Sequence, residues 1–236
     1  MAVTVDKYRV VAAMVRSFFG AFASGVVDCH PGDRKDNWRP PVVKKLMLEH
    51  YEHIAPAFFD VMFYPLATMN FGYDDIVRLV GEAEQRGDDM MALVRMACGD
   101  DGLYEAMVTE YKRNFGCLLA GRCEDVAACL ESYTRSADNE ACADNDMAIQ
   151  LVVRVAMRGY AAGLRRADKG QLGHFRQATL FRLMLDAMDV LLGDGQTCLD
   201  DCDDLGDMFM RVCRDEHNFK VMTDEMDRIH EELMAE

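Results

Sequence analysis

The chain has 236 residues, half of them apolar, which suffices for a sizeable core in one large domain or two small ones. A net charge of −15 argues against a nucleic-acid partner, since no basic stripe is legible to neutralise phosphates, and against docking on an anionic membrane. The N-terminal MAVTVDKYRV has charges where a signal peptide needs an apolar core, and no uncharged apolar run of about 18 residues is expected to span a bilayer.

In chain order, Val10, Val11, Met14, Phe18 and Phe22 recur at helical spacing and predict a first helix over Asp6–Ala23. The turn-rich DCHPGDRKDNWRPP follows as a loop with the only tryptophan, Trp38. All five prolines lie at or before Pro65, so the remainder can run as uninterrupted helices. Pro41 suits the start of a second helix over Val42–Ile54, restarted or kinked at Pro56 and ending at Pro65. Further helices are predicted over Tyr73–Gln85, Met90–Cys98 and Leu103–Arg113.

The organising element is predicted to be Asn114–Arg135, apolar on several sides and rich in Gly and Ala, hence a helix buried at the centre of a bundle. A polar loop, Ser136–Asn145, then separates it from a long apolar helix over Asp146–Leu164, followed by His174–Leu192. Two amphipathic helices close the chain, about Leu199–Arg214 and Phe219–Met234, with 13 acidic against four basic residues from Leu199 onward. Neither a strand pattern nor an internal repeat is legible. The expected fold is all-α: a compact bundle over residues 1–192, with residues 193–236 as acidic C-terminal helices packed on it or extending it. Nine cysteines, an odd number with several inside an apolar helix, favour free thiols in a reducing, cytoplasmic compartment.

Several constellations invite a chemical reading. Cys198, Cys202, Cys213 and His217 pair soft ligands at i and i+4, a set that a tetrahedral zinc could use. Asp200, Asp201 and Asp204 form a D-D-x-x-D spacing of the kind that holds magnesium diphosphate in helical synthases. The same acidic run also suits the first turn of a helix, whose dipole favours it. His50 and His53 flank Glu52 but lack the second Glu-x-x-His of a di-iron bundle. No phosphate-binding loop or nucleophile elbow occurs, so no catalytic residue, cofactor or metal is assigned.

At Asn114, Phe115, Gly116 and Cys117 the chain resembles the Bcl-2 family of apoptosis regulators, whose central helix opens with N-W-G-R. Met69, Tyr73, Asp74, Asp75 and Ile76 are similar to a degenerate form of the family's third homology motif, and Gly170 and Gly173 stand where the second would lie. Cys117 replaces the arginine that pairs with a bound helix's aspartate. The anchorless, diverged form looks like the Bcl-2-like proteins of poxviruses. The resemblance implies a non-enzymatic, viral modulator in the host cytoplasm that binds host proteins to suppress apoptosis or NF-κB and interferon signalling. It implies a helix-binding groove walled by Ile76, Val80, Met91, Val94, Leu103 and Met107 and reaching Asn114, Phe115 and Gly116. The partner would be an amphipathic helix of a pro-apoptotic or signalling protein, with homodimerisation a further option. The alternatives are a magnesium-dependent helical enzyme using Asp200–Asp204 and a structural assembly subunit.

Overall fold

The computed structural model describes residues 4–121, 142–168, 172–192 and 205–236. Among them the chain is all-α apart from one short strand pair. β1 (Thr4–Asp6) leads into α1 (Lys7–Cys29), α2 (Arg34–Asn37), α3 (Pro40–Glu49), α4 (Tyr51–Asn70), α5 (Tyr73–Arg86), α6 (Met90–Ala97) and α7 (Asp101–Ala120). β2 (Cys142–Asp144) then leads into α8 (Asn145–Ala167), α9 (Gln177–Leu192), α10 (Leu205–Cys213) and α11 (Glu216–Ala235).

Several boundaries differ from expectation. Asn114–Ala120, the opening of the predicted central helix Asn114–Arg135, is instead the tail of α7, which begins at Asp101 and is closed at Gly121 in the left-handed conformation. A Cβ at Gly121 would stand 2.2 Å from the carbonyl oxygen of Pro40, so the end of α7 is pressed against the start of α3 and only glycine fits. Residues 122–135 of that prediction lie outside the described residues. α4 runs through both Pro56 and Pro65 rather than ending there. Each proline removes one intrahelical hydrogen bond. The packing of Ile54, Phe58, Met62 and Leu66, all fully buried, outweighs that loss.

The core is centred on α1 and α8, which cross in direct backbone contact. A Cβ on Gly163 would meet the Phe22 carbonyl oxygen at 2.2 Å, and one on Gly25 would meet the Tyr160 carbonyl oxygen at 2.4 Å. Phe18, Phe22, Val152 and Tyr160 are among the side chains sealed around the crossing. The Tyr160 hydroxyl donates to Asp28 at 2.8 Å, and Thr179 donates to the same carboxylate oxygen at 2.7 Å, which satisfies polar groups buried there. α1 is long and apolar enough to cross a membrane, contrary to the expectation from the sequence; 89 % of its most apolar stretch is buried inside the bundle.

The structure also contains a repeat that the sequence conceals. β1–α1 and β2–α8 are each a three-residue strand followed by a 23-residue helix, entered through a capping aspartate, Asp6 or Asp144. The strands pair antiparallel with Val5 opposite Ala143, Thr4 opposite Asp144 and Asp6 opposite Cys142. That register maps onto itself when the two strands are exchanged, as a two-fold axis requires.

The second part of each unit corresponds as well. Cys98 and Cys213 are buried at the ends of α6 and α10. Gly99 and Arg214 follow in the left-handed conformation (φ 76° and 69°), and Asp100 and Asp215 then cap α7 and α11. Glu110 and Glu225 are buried acids paired with Arg113 and Arg228 one turn on. α4 and α9 match in their buried positions, Phe58 with Leu180, Met62 with Met184, Leu66 with Met188 and Met69 with Leu191. The units are interlocked: α9 lies on α1, and α4 lies on α8. α11 is thus the counterpart of α7, and its Met222, Ile229 and Leu233 belong to the common core.

Candidate functional site

The residues expected to wall a groove fall into three groups. Val94, Leu103 and Met107 are at most 1 % exposed and form part of the core, because α6 and α7 turn these faces inward. Ile76 and Val80 are half-buried on α5, and Met91, on α6, is 50 % exposed. Asn114, Phe115 and Gly116 lie about 18 Å along α7 from Leu103, at 1.5 Å per residue. Asn114 is buried and donates to the Glu110 carbonyl oxygen at 2.9 Å and to its carboxylate at 3.2 Å. Phe115 stacks on Tyr111 with ring centroids 5.4 Å apart and meets Tyr51 at 5.5 Å. Gly116 faces open space, with nothing within 4 Å of a Cβ built there.

What the first two groups do form is a surface. α5 is strongly amphipathic, yet Ala83 is its only fully buried residue. Tyr73 (81 % exposed) and Val77 (54 %) extend the apolar side of α5 into solvent. Together with half-buried Ile76 and Val80 they give α5 an apolar candidate contact face, and Met91 is exposed on the neighbouring α6; exposed apolar residues of this kind mark interaction sites. Arg95 ties this region to α7 through a 2.8 Å ion pair with Asp101, and its guanidinium stands over the Tyr104 ring.

The acidic run at Asp200, Asp201 and Asp204 lies outside the described residues, as do Cys198 and Cys202. Cys213 is buried, which pushes its thiol up to about 12. His217 is exposed on α11 and meets the Asp146 carboxylate at 2.9 and 3.0 Å. Among the described residues no three His, Cys, Asp or Glu side chains gather as a metal site would need.

A second feature escaped the sequence reading. A cleft of about 1170 Å³ lies between α4, α8 and α11. α8 lines it with Arg154, Arg158, Arg165 and Arg166, and α11 adds Arg228. The opposite wall carries Pro56, Ala57, Asp60 and Val61 of α4, with Glu49, His50 and His53 also in the lining. Burial holds the His50 imidazole below its ordinary pKa, as do the neighbouring His53 and Arg166, against an opposing effect of Glu49.

α11 supplies the counter-charges. Buried Glu225 accepts from Arg228 at 2.5 and 2.8 Å and from Arg154 at 3.4 Å. Glu232 meets Arg158 at 3.0 Å, and Glu236 meets Arg158 at 3.2 Å and Arg165 at 2.8 Å. The hydrogen bond from Arg165 holds the Glu236 carboxyl below the ordinary carboxylate range, helped by Arg158. The sequence signal was present in the spacing of Arg154, Arg158 and Arg165, which repeats at i, i+4 and i+11 and so shares one helix face. The expected helix over Asp146–Leu164 stops short of Arg165 and Arg166, so the full row is apparent only once α8 is seen to run to Ala167. The chain matches no protein-family model, no curated protein and no solved structure.

Proposed function

We propose that this protein is a non-catalytic interaction module that binds an amphipathic helix of a host signalling or apoptosis protein on the α5–α6 face. The observation that carries the reading is the exposed apolar side of α5 and α6, with Tyr73 and Val77 in solvent on a helix that buries only Ala83 and Met91 in solvent on α6. Such a face offers anchors at i, i+3, i+4 and i+7 to a partner helix. The resemblance of Asn114–Cys117 and Met69–Ile76 to Bcl-2-family motifs supplies the partner class, and the likeness to diverged poxvirus forms supplies the role of suppressing apoptosis or NF-κB and interferon signalling. Val94, Leu103 and Met107 are core residues, which favours binding on the outer face over capture in a deep groove.

The test is calorimetric titration of the full chain against helical peptides from pro-apoptotic proteins and from adaptors of NF-κB and interferon signalling. Binding that is lost in Val77→Glu and Met91→Glu, and kept in Gly116→Glu, supports the reading. Failure of every peptide to bind removes it.

A further inference from the structure

The two units should present matching clefts, and they do not. On α1 the positions equivalent to Arg154, Arg158, Arg165 and Arg166 are Arg16, Gly20, Val27 and Asp28. Only the first arginine is common to both. Around Arg16 the carboxylates of Asp186 and Asp189 on α9, with Glu110, oppose the lowering of its pKa by burial and by Arg113. The corresponding places on α4 are Tyr64 and Ala67, which carry no charge. The second unit therefore adds three arginines to its long helix, and the α4 wall that faces them lacks both α9 aspartates and carries a single acid, Asp60, where α9 has Arg182. Glu225 already satisfies the shared pair, Arg154 and Arg228. The fold does not need Arg158, Arg165 and Arg166 for the role that Arg16 and Arg113 fill in the first unit.

α11 shows what these extra arginines accept. Glu232 and Glu236 stand one helical turn apart and engage Arg158 and Arg165, while Arg166 is exposed and has no ion pair among the described residues. The row from Arg154 to Arg166 is about 18 Å long, the length of a three-turn helix. Beside it lie Pro56, Ala57 and Val61 from α4 and Ala161 and Ala162 from α8, with exposed Asp60 set among the α4 residues. The charge of this row is opposite to that of the chain as a whole, so it would select an acidic partner rather than another copy of the same surface.

We propose that the cleft between α4, α8 and α11 binds an acidic amphipathic helix of a partner protein. Carboxylates one turn apart take Arg158, Arg165 and Arg166 in place of Glu232 and Glu236, and the apolar face of the helix lies on Pro56, Ala57 and Val61. α11 thereby acts as an internal competitor, and the site touches α6 only at Met90 and does not include Tyr73, Val77 or Met91.

The probe is a fluorescein-labelled helical peptide of about twelve residues. It carries glutamates at i, i+4, i+7 and i+11 and alanine and leucine on the other face, and is followed by anisotropy with the full chain. A peptide of the same composition with scrambled order is the control. Saturable binding that weakens with salt is expected, with little binding of the scrambled peptide. Glu232→Gln/Glu236→Gln should tighten binding about threefold or more by removing the competitor. Arg158→Glu/Arg165→Glu should weaken it about tenfold or more. Arg166→Glu, which breaks no ion pair, gives the same direction of change should the double variant fail to fold. No binding by either wild type or Glu232→Gln/Glu236→Gln overturns the proposal. So do equal binding of the scrambled peptide and undiminished binding by Arg166→Glu.

Discussion

Gly163→Ala should destabilise the protein even though alanine is the better helix former. The new methyl carbon would stand 2.2 Å from the Phe22 carbonyl oxygen, 3.0 Å from its carbon and 3.2 Å from the Gly25 Cα. All three are backbone atoms of α1, so no side chain can rotate away. Relief requires α1 and α8 to part by about 1 Å, and gaps of that size forfeit a quarter to a half of the dispersion well for atoms along the crossing. Overpacking costs about 1–3 kcal/mol, and a backbone obstacle places this site at or beyond the upper end. Against that stands a gain of about 1 kcal/mol in helix propensity. The net loss is about 2 kcal/mol, or about 4–8 °C in Tm for a chain of this size. Gly20, also on α1, is the internal control, since it is exposed with nothing within 4 Å of its Cβ position. There the propensity gain acts alone, and Gly20→Ala should stabilise by about 0.5–1 kcal/mol. Urea and thermal unfolding followed by far-ultraviolet circular dichroism would measure both. A Gly163→Ala protein as stable as wild type, or a Gly20→Ala protein equally destabilised, would refute the reasoning.

Arg214 holds a left-handed conformation at φ 69° where the first unit has Gly99, so Arg214→Gly should stabilise the protein by about 1 kcal/mol, read as a higher urea midpoint. Removing the carboxylate that joins two helices, in Glu225→Ala, strands Arg154 and Arg228; these are partly exposed, so a loss of about 3 kcal/mol is expected, at the low end for a broken buried pair. Burial raises the thiols of Cys98 and Cys213 to about 12, with Asp100 and Asp215 adding to the effect, so almost no thiolate exists at neutral pH. Mass spectrometry after brief alkylation should find both unmodified in the native protein and both modified in denaturant; native modification of either would contradict their placement.

Helical periodicity made much of the fold legible. α5, α6, α8 and α11 fall within a few residues of their expected ends because Gly87, Asp89, Asp144 and Asp215 carry strong stop or cap chemistry. α7 was divided because its apolar pattern changes at Asn114, although no breaker separates the parts. The strands were illegible: each has three residues and finds its partner across more than a hundred others. The repeat was hidden by size exchange across the crossing. Phe18 corresponds to Ala156 and lies against Gly159, a bulky side chain set where its counterpart helix has small ones. Positions that meet near a two-fold axis must complement rather than copy one another, so their identities diverge while their burial agrees. What survived in sequence are the constraints that do not depend on packing partners: the capping aspartates, the buried acid with its arginine, and Gly25 and Gly163. The α5–α6 face was partly legible through Ile76, Val80 and Met91. The arginine cleft was not, because it joins helices that only the tertiary fold brings together.

The exchange of α4 and α9 between the units has a consequence for synthesis. When a ribosome has extruded residues 4–121, α1 has no α8 to cross and no α9 to cover it, so a long apolar surface waits for chain still to be made. Neither half can mature first, and the early product is a natural client for chaperones. Two fragments, cut between residues 121 and 142 and produced together, should find one another as the two subunits of a dimer do, and each produced alone should aggregate.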